Sequence, residues 1–271
     1  MNSGMLIRFL LFFFGLGLLS KGQVKDDPYR YVRILPLGNA HKFSWELVDG
    51  IRVVLPPGPG EAPPPQAAAK NEIPQLQPLR LVVDNFSRYA AFGPKVEKIE
   101  LTAAIEAGGK AFYSFKAPTA KRSLAVLYRD HQKLDWFNTK SLVLKDDAIT
   151  FPVGSMRFVN VSDQTLGLTF MIKKKGQRTK VAQVGVAPGR THIRQLDKDG
   201  ELVTIEIVNK GGGENIEIRQ STEKADKGER INAFFYKDTK PKAFNPVRYL
   251  NFPEKIPALP RLSKPKKDAG E

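Results

Sequence analysis

The residues that could do chemistry in this chain are few and scattered. Val153-Gly154-Ser155-Met156-Arg157 is the nearest string to a nucleophile elbow. It runs into an apolar strand-like segment and lacks the Gly-x-Ser-x-Gly pattern that a strained strand-to-helix turn needs. No His-Glu-x-x-His, phosphate-cradling loop or dinucleotide fingerprint occurs. The three histidines, His41, His131 and His192, stand far apart, so no local spacing brings them to one metal or one nucleophile. Asp197-Lys198-Asp199-Gly200-Glu201 is too short for a calcium loop and is interrupted by a lysine; it reads as a turn. With no cysteine there is no thiol nucleophile, disulfide or Cys-ligated metal. The expectation is a chain that is not an enzyme and takes no cofactor. A pair of distant carboxylates, or the distant histidines, brought together by folding are the catalytic arrangements that sequence leaves open.

Two segments carry recognition chemistry instead. Lys173-Lys174-Lys175-Gly176-Gln177-Arg178-Thr179-Lys180 holds five cations and no acid between two apolar runs. A hairpin tip of this kind attracts anionic polymers or phosphate-rich surfaces. The plainer alternative is a solvated turn whose lysines discourage edge pairing. Lys173, Lys174, Lys175, Arg178 and Lys180 are the candidate anion-binding residues. The second segment is Tyr128-Arg129-Asp130-His131-Gln132-Lys133-Leu134-Asp135-Trp136-Phe137. An exposed Trp136 beside His131 and Asp135 would stack on a sugar ring and bond its hydroxyls. The alternative is that Trp136 and Phe137 fill a core.

The elements that would position these residues are almost all strands. After the first linker the apolar runs are Leu79–Val83, Ile99–Ile105, Ala111–Phe115, Leu124–Tyr128, Leu142–Leu144, Met156–Val161, Leu166–Ile172, Val181–Val186, Val203–Val208, Ile216–Ile218 and Ile231–Tyr236. Most are five to seven residues long and rich in Val, Ile, Leu and Phe, and turn residues recur between them. Val203-Thr204-Ile205-Glu206-Ile207 alternates, one face for a core and one for water. Val96–Ala107 has helix-favouring composition but alternates at Ile99, Leu101, Ala103 and Ile105, which favours strand. The fold class that follows is all-β, as tandem immunoglobulin-like β-sandwich domains.

The chain begins with a basic start, a run of about 11 apolar residues from Phe9 to Leu19, and Ser20 and Gly22 at −3 and −1 of a cut before Gln23. A spanning helix needs ~20 apolar residues, so this is read as a secretory signal peptide. Its alternative is an uncleaved anchor. The expected organisation is a signal peptide at 1–22, an N-terminal β segment at 23–55 and a Pro-rich linker at 56–78. A first sandwich at 79–150, a second at 151–240 and a basic Pro/Lys-rich tail at 241–271 follow. In the first segment Asp49-Gly50 marks a hairpin between two apolar runs. An internal repeat supports two sandwiches. Ala107–Lys110 resembles Ala187–Arg190, Leu79–Val83 resembles Met156–Asn160, and Ala125–Asp130 resembles Ala233–Asp238, the first two offset by about 80 and the last by 108.

The whole sequence of 271 residues carries +15. Arg8 and Lys21 leave with the signal peptide, and residues 241–271 hold seven basic against three acidic side chains. The remaining excess is modest, with the 173–180 cluster its densest part. No interleaved aromatic and basic motif accompanies it, so nucleic acid is not an expected partner.

Phe151-Pro152-Val153-Gly154-Ser155-Met156-Arg157-Phe158-Val159-Asn160-Val161-Ser162, with the earlier Leu35-Pro36-Leu37-Gly38 and Leu127-Tyr128-Arg129-Asp130, resembles the opening of β-rich domains in uncharacterised exported proteins of the Verrucomicrobia type. The resemblance implies an exported β-sandwich protein and carries no catalytic residues over. The functional expectation is therefore a non-catalytic envelope protein, periplasmic, cell-surface or secreted, with no transmembrane helix in its mature form. Its partner would be an anionic polysaccharide or an envelope protein. Two alternatives stand beside it: a carbohydrate-binding or carbohydrate-active module around Trp136, and a periplasmic chaperone or adaptor that exchanges strands.

Overall fold

The computed structural model describes residues 28–38, 50–54, 76–77, 79–102, 111–130, 138–174, 176–196, 203–210, 216–224, 228–238 and 246–260. The expected signal peptide, nearly all of the linker and the Asp49 hairpin lie outside the described residues.

Among the described residues, sixteen strands form four four-stranded sheets. The first eight are β1 (Arg30–Leu37), β2 (Gly50–Val54), β3 (Leu76–Gln77), β4 (Ala90–Phe92), β5 (Lys98–Thr102), β6 (Ala111–Lys116), β7 (Arg122–Arg129) and β8 (Thr139–Lys145). They make two sheets of order β4-β1-β7-β8 and β3-β2-β5-β6. The second eight are β9 (Ser155–Asn160), β10 (Leu166–Lys174), β11 (Gln177–Val186), β12 (Arg190–Gln195), β13 (Val203–Asn209), β14 (Ile216–Glu223), β15 (Glu229–Lys237) and β16 (Val247–Lys255). Their sheets have orders β12-β9-β15-β16 and β11-β10-β13-β14. Strand for strand, the second half repeats the topology of the first. In both, the first strand runs parallel to the seventh, β1 beside β7 and β9 beside β15. A bulge recurs at equivalent places, after Leu101 in β5 and after Ile207 in β13. The fold class expected from alternation, a tandem β-sandwich, is the fold observed.

Alternation decides what each strand buries. Along β1, Val32 and Ile34 point between the first two sheets with Ala90, Phe92, Ile99, Leu101, Phe115, Ala125 and Leu127. Met156 and Phe158 of β9 do the same in the second half with Leu168, Phe170, Ile205, Ile207, Ala233 and Phe235. The intervening residues face the other way. Leu35, Leu37, Leu124 and Val126 meet Val159, Val161, Phe234 and Tyr236 in a third core between the two sandwiches. The molecule is thus four sheets deep, and its two middle sheets bury side chains on both faces. The connection at residues 146–154 is held by Asp147, whose Oδ1 accepts the amides of Ile149 and Thr150.

Two expected boundaries are corrected. The 23–55 segment is not separate from the first sandwich: β1 sits in the sheet of β7 and β2 pairs with β5. These partners are far away in sequence, which local pattern does not disclose. The 241–271 segment is not all tail, since β16 pairs with β15 along its whole length. Its Pro253 is tolerated because β16 is an edge strand, where a missing N–H leaves no ladder bond unmade. Residues 256–260 follow it back to the first sandwich. The Arg122 guanidinium donates to the Pro257 carbonyl, and Leu259 packs on a small cluster of Tyr31, Tyr89 and Ala91.

The repeat is real; of its three sequence matches, that at 107–110 lies outside the described residues and one of the other two is not structural. Leu79–Val83 is a loop with a single bridge at Arg80, and it ends in a turn where Asp84 adopts φ 57°. Leu79 and Leu81 only tuck into the first core. The true counterpart of β9 is β1, which aligns Arg33 with Arg157 through the paired positions Ile34–Ala125 and Phe158–Ala233. The match offset by 108 is the structural one, and it extends further than the string itself. Arg122 and Arg230, Asp130 and Asp238, Lys140 and Arg248, and Asp146 and Glu254 all share that offset. Asp130 pairs with Lys140 at 2.7 Å, as Asp238 pairs with Arg248 at 2.6 Å.

Candidate functional site

The basic segment forms a hairpin. β10 and β11 pair antiparallel from Leu166–Val186 out to Lys174–Gln177, and Gly176 takes φ 83° at the turn. Such a φ costs a β-branched or bulky residue steric strain, which glycine escapes. β11 is the edge strand of the outermost sheet, and its first five residues are exposed. Arg178 and Lys180 therefore stand in water, and Lys180 Nζ donates to Gln183 Oε1 on the same strand. Lys173 and Lys174 occupy the facing positions of β10, Lys173 opposite Arg178. Lys175 lies outside the described residues. Edge placement and charge both fit an exposed basic projection.

The other predicted site is not brought into view, since His131, Asp135 and Trp136 lie outside the described residues. His192 is on β12, tilted against the rings of Phe158 and Phe170 at 6.2 and 6.0 Å. Burial, with some help from Arg194, lowers its pKa, and Nε2 is buried without a hydrogen-bond partner. It stays neutral and packs as a ring. Among the described residues no group of three or more His, Asp or Glu could hold a metal ion. No described helix is long and apolar enough to cross a membrane.

The feature that sequence reasoning missed is a buried ionic cluster where the sandwiches join. Asp146 has no exposed surface. Its Oδ2 accepts Arg33 Nε at 2.8 Å and the Tyr89 hydroxyl at 2.7 Å. Its Oδ1 accepts Arg157 and Arg230, each at 3.0 Å. Arg33 also forks onto Glu254 with two 2.6 Å bonds. Glu254 in turn accepts Arg230 Nε at 3.1 Å and Asn232 Nδ2 at 2.9 Å. The remaining donors are matched: Arg157 Nε to Asn232 and NH1 to the Lys145 carbonyl, Arg230 NH1 to the Asp146 and Phe151 carbonyls. The Phe151 ring lies beside both guanidiniums, 4.2 Å from Arg157 and 4.6 Å from Arg230.

Three cations face two carboxylates here. Burial alone would raise the Asp146 pKa, but Arg33, Arg157, Arg230 and the Tyr89 hydroxyl outweigh it and hold the carboxyl below its usual value. Burial and the two neighbouring guanidiniums push Arg157 down to about 10, so it remains cationic at neutral pH. Tyr89 is pushed up by burial and by Asp146, and stays a donor. The carboxylate oxygens and guanidinium nitrogens of the cluster bond to one another and to nearby carbonyls. A signal for it existed: Arg33 and Arg157 are lone cations inside apolar runs, where a charge survives only if paired.

No family model matches the chain, and no curated protein sequence does. Among solved structures, one that the chain resembles is a streptococcal ancillary pilin, with 12% identity and a TM-score of 0.20. The match covers 74% of this chain, which spans 60% of the pilin's length. Another is a cell adhesion protein, described as putative, from Bacteroides ovatus ATCC 8483, with 9% identity and a TM-score of 0.25 over 85% of this chain and 99% of that one. At that level of superposition neither match carries a functional inference.

Proposed function

We propose that the chain is an exported, non-catalytic envelope protein, a rigid double sandwich that presents the β10–β11 hairpin to an anionic cell-surface polymer. The observation that carries this reading is the placement of the cations. They sit at a hairpin tip and along the exposed edge of the outermost sheet, with no acid between 173 and 180. The expected signal peptide supports export, and a cell-wall or capsular polysaccharide supplies the opposite charge. The buried cluster contributes rigidity to this unit rather than chemistry.

The test is retention of the mature protein on an immobilised anionic polysaccharide such as heparin. Elution is expected to move steeply with salt, because exposed charges are screened within about 10 Å at 0.1 M. Replacing Lys173, Lys174, Lys175, Arg178 and Lys180 with Ser is expected to abolish retention at physiological salt and leave the melting temperature unchanged. Retention equal to that of the parent would remove the hairpin as the site.

A further inference from the structure

The two halves share a topology but close their edges differently. In each sandwich, the sixth and eighth strands are the edges of opposing sheets, β6 with β8 and β14 with β16. Ile231, Val247 and Phe235 of the second half are buried core, and Tyr249 packs against that core. The positions that match Ile231, Val247 and Tyr249 in the first half are Ser123, Thr139 and Ser141, all at the common offset of 108. Three large apolar or aromatic side chains are thus replaced by small hydroxyls along β7 and β8. Phe115 and Tyr113 reach across from β6 in partial compensation, and Tyr113 donates to Ser141 Oγ at 2.8 Å. They do not fill the space. A recess of about 520 Å³ remains between β6 and β8, lined among others by Ala117, Pro118, Ser123, Ser141 and Val143. A separate, more polar recess of about 620 Å³ lies on the same two strands, lined among others by Glu100, Tyr113, Asp130 and Thr139.

Four further observations say what the recess is suited to hold. Ser123 is 1% exposed, and its hydroxyl has no hydrogen-bond partner although it lines the space. Val143 points into the groove side of β8 and is 38% exposed, an apolar side chain left uncovered. The recess has two cations at its rim, Lys116 and Lys145, and no acid among its lining residues. The strands on either side each have a single sheet partner among the described residues, so each offers an edge of backbone donors and acceptors.

We propose that the open edge between β6 and β8 is a docking groove for an extended segment of another polypeptide, apolar at alternate positions and carrying carboxylates at the Lys116 and Lys145 end. The backbone of that segment pairs with an edge strand, its alternate apolar side chains enter the space left by Ser123 and Ser141, and its acids meet the two lysines. This site is on the first sandwich and is independent of the basic hairpin on the second.

The probe is a fluorescein-labelled peptide of sequence Thr-Val-Thr-Val-Thr-Ile-Thr-Asp-Asp, titrated with the mature protein, beside a counterpart ending in Lys-Lys. Saturable binding in the micromolar-to-millimolar range is expected, with hydrogen-exchange protection confined to β6 and β8. The Lys-ended peptide is expected to bind about tenfold more weakly or worse. The S123I/S141Y double variant carries the second half's own side chains and is expected to lose about tenfold or more in affinity while melting no lower than the parent. Val143→Asp, at a side chain already partly exposed, provides a variant that keeps the fold and is expected to weaken binding similarly. The five-serine hairpin variant is expected to bind the peptide as the parent does. The proposal is overturned by equal binding of the two peptides, by unchanged binding in S123I/S141Y or V143D, or by no saturable binding of the acidic peptide.

Discussion

Replacing Asp146 with Asn is expected to cost about 3–5 kcal/mol of folding stability, the range for removing one partner of a buried ion pair. The substitution keeps the shape of the side chain. What it removes is the charge that Arg33, Arg157 and Arg230 converge on. Of the three guanidiniums, each at most 3% exposed, Arg33 and Arg230 then keep Glu254 as their carboxylate and Arg157 keeps only neutral partners, Asn232 and the Lys145 carbonyl. Urea unfolding followed by far-UV circular dichroism measures the loss as a lower midpoint at unchanged slope. Glu254→Gln is expected to cost less, because the Glu254 side chain is 12% exposed and water replaces part of what it gives. A D146N midpoint equal to that of the parent would mean that the cluster contributes nothing net to folding.

The same carboxylate makes stability depend on pH with a definite sign. Its folded pKa lies below the ordinary value, so the unfolded chain takes up the proton first as acid is added. The contribution is complete above the unfolded aspartate value, about 3.9, and is lost as pH falls through the lower folded value. The parent is expected to lose stability more steeply than D146N below about pH 4, and the two curves are expected to converge at the acid end.

The second large effect is expected from Phe234→Ala. Phe234 is fully buried between the sandwiches and meets Phe86 and Phe252 edge to face, at centroid distances of 6.1 and 5.8 Å. Truncating a buried Phe costs about 3–5 kcal/mol through lost transfer energy and the cavity left behind. Phe234 belongs to the junction core and not to either sandwich's own core. The loss therefore falls on the coupling between halves. In scanning calorimetry the parent is expected to unfold in one transition and F234A in two. Phe158→Ala, inside the second sandwich, is the control: it is expected to lower stability by a similar amount without separating the halves. A single, merely lowered transition in F234A would place the coupling elsewhere, in the ionic cluster.

What sequence disclosed and what it hid follow one physical division. Alternation is local, so the strands were legible: β5 was recognised from Ile99 and Leu101 despite its helix-favouring composition, and β10–β11 from apolar runs flanking a glycine turn. Pairing is not local. Nothing in Tyr31–Leu35 announces that β1 lies beside β7, about ninety residues on, and so the N-terminal strands were set apart from their sandwich. Proline misled at β16, where an edge position makes Pro253 harmless. The duplicated pattern was half legible. The match of Leu79–Val83 with Met156–Asn160 proved accidental, whereas Ala125–Asp130 with Ala233–Asp238 carried an acidic end that pairs the same way in both halves. The anion-binding candidates were found as a hairpin because charge runs fall on exposed turns. The ionic cluster was missed because its charged members come from five separate segments: Arg33 and Arg157 stand out as cations in apolar runs, but nothing local names Asp146, Arg230 and Glu254 as their partners.

The junction has one more consequence. The faces that meet are equivalent: Leu35 and Val159, Leu37 and Val161, and Val126 and Phe234 occupy matching positions in the two halves and share one core. The ion pairs reciprocate in the same way. Arg33 of the first half holds Glu254 of the second, and Arg157 of the second holds Asp146, the counterpart of Glu254. Residue i meeting j while j meets i is the signature of a self-complementary contact between two identical subunits. Here the two subunits are written into one polypeptide, joined by the short stretch from Asp146 to Gly154. A tether of that length holds its ends at an effective concentration of order millimolar. The assembly therefore does not dissociate on dilution, as a true homodimer would. Once the partners no longer had to be identical, one half was free to keep its edge closed with Tyr249 while the other opened its own with Ser141.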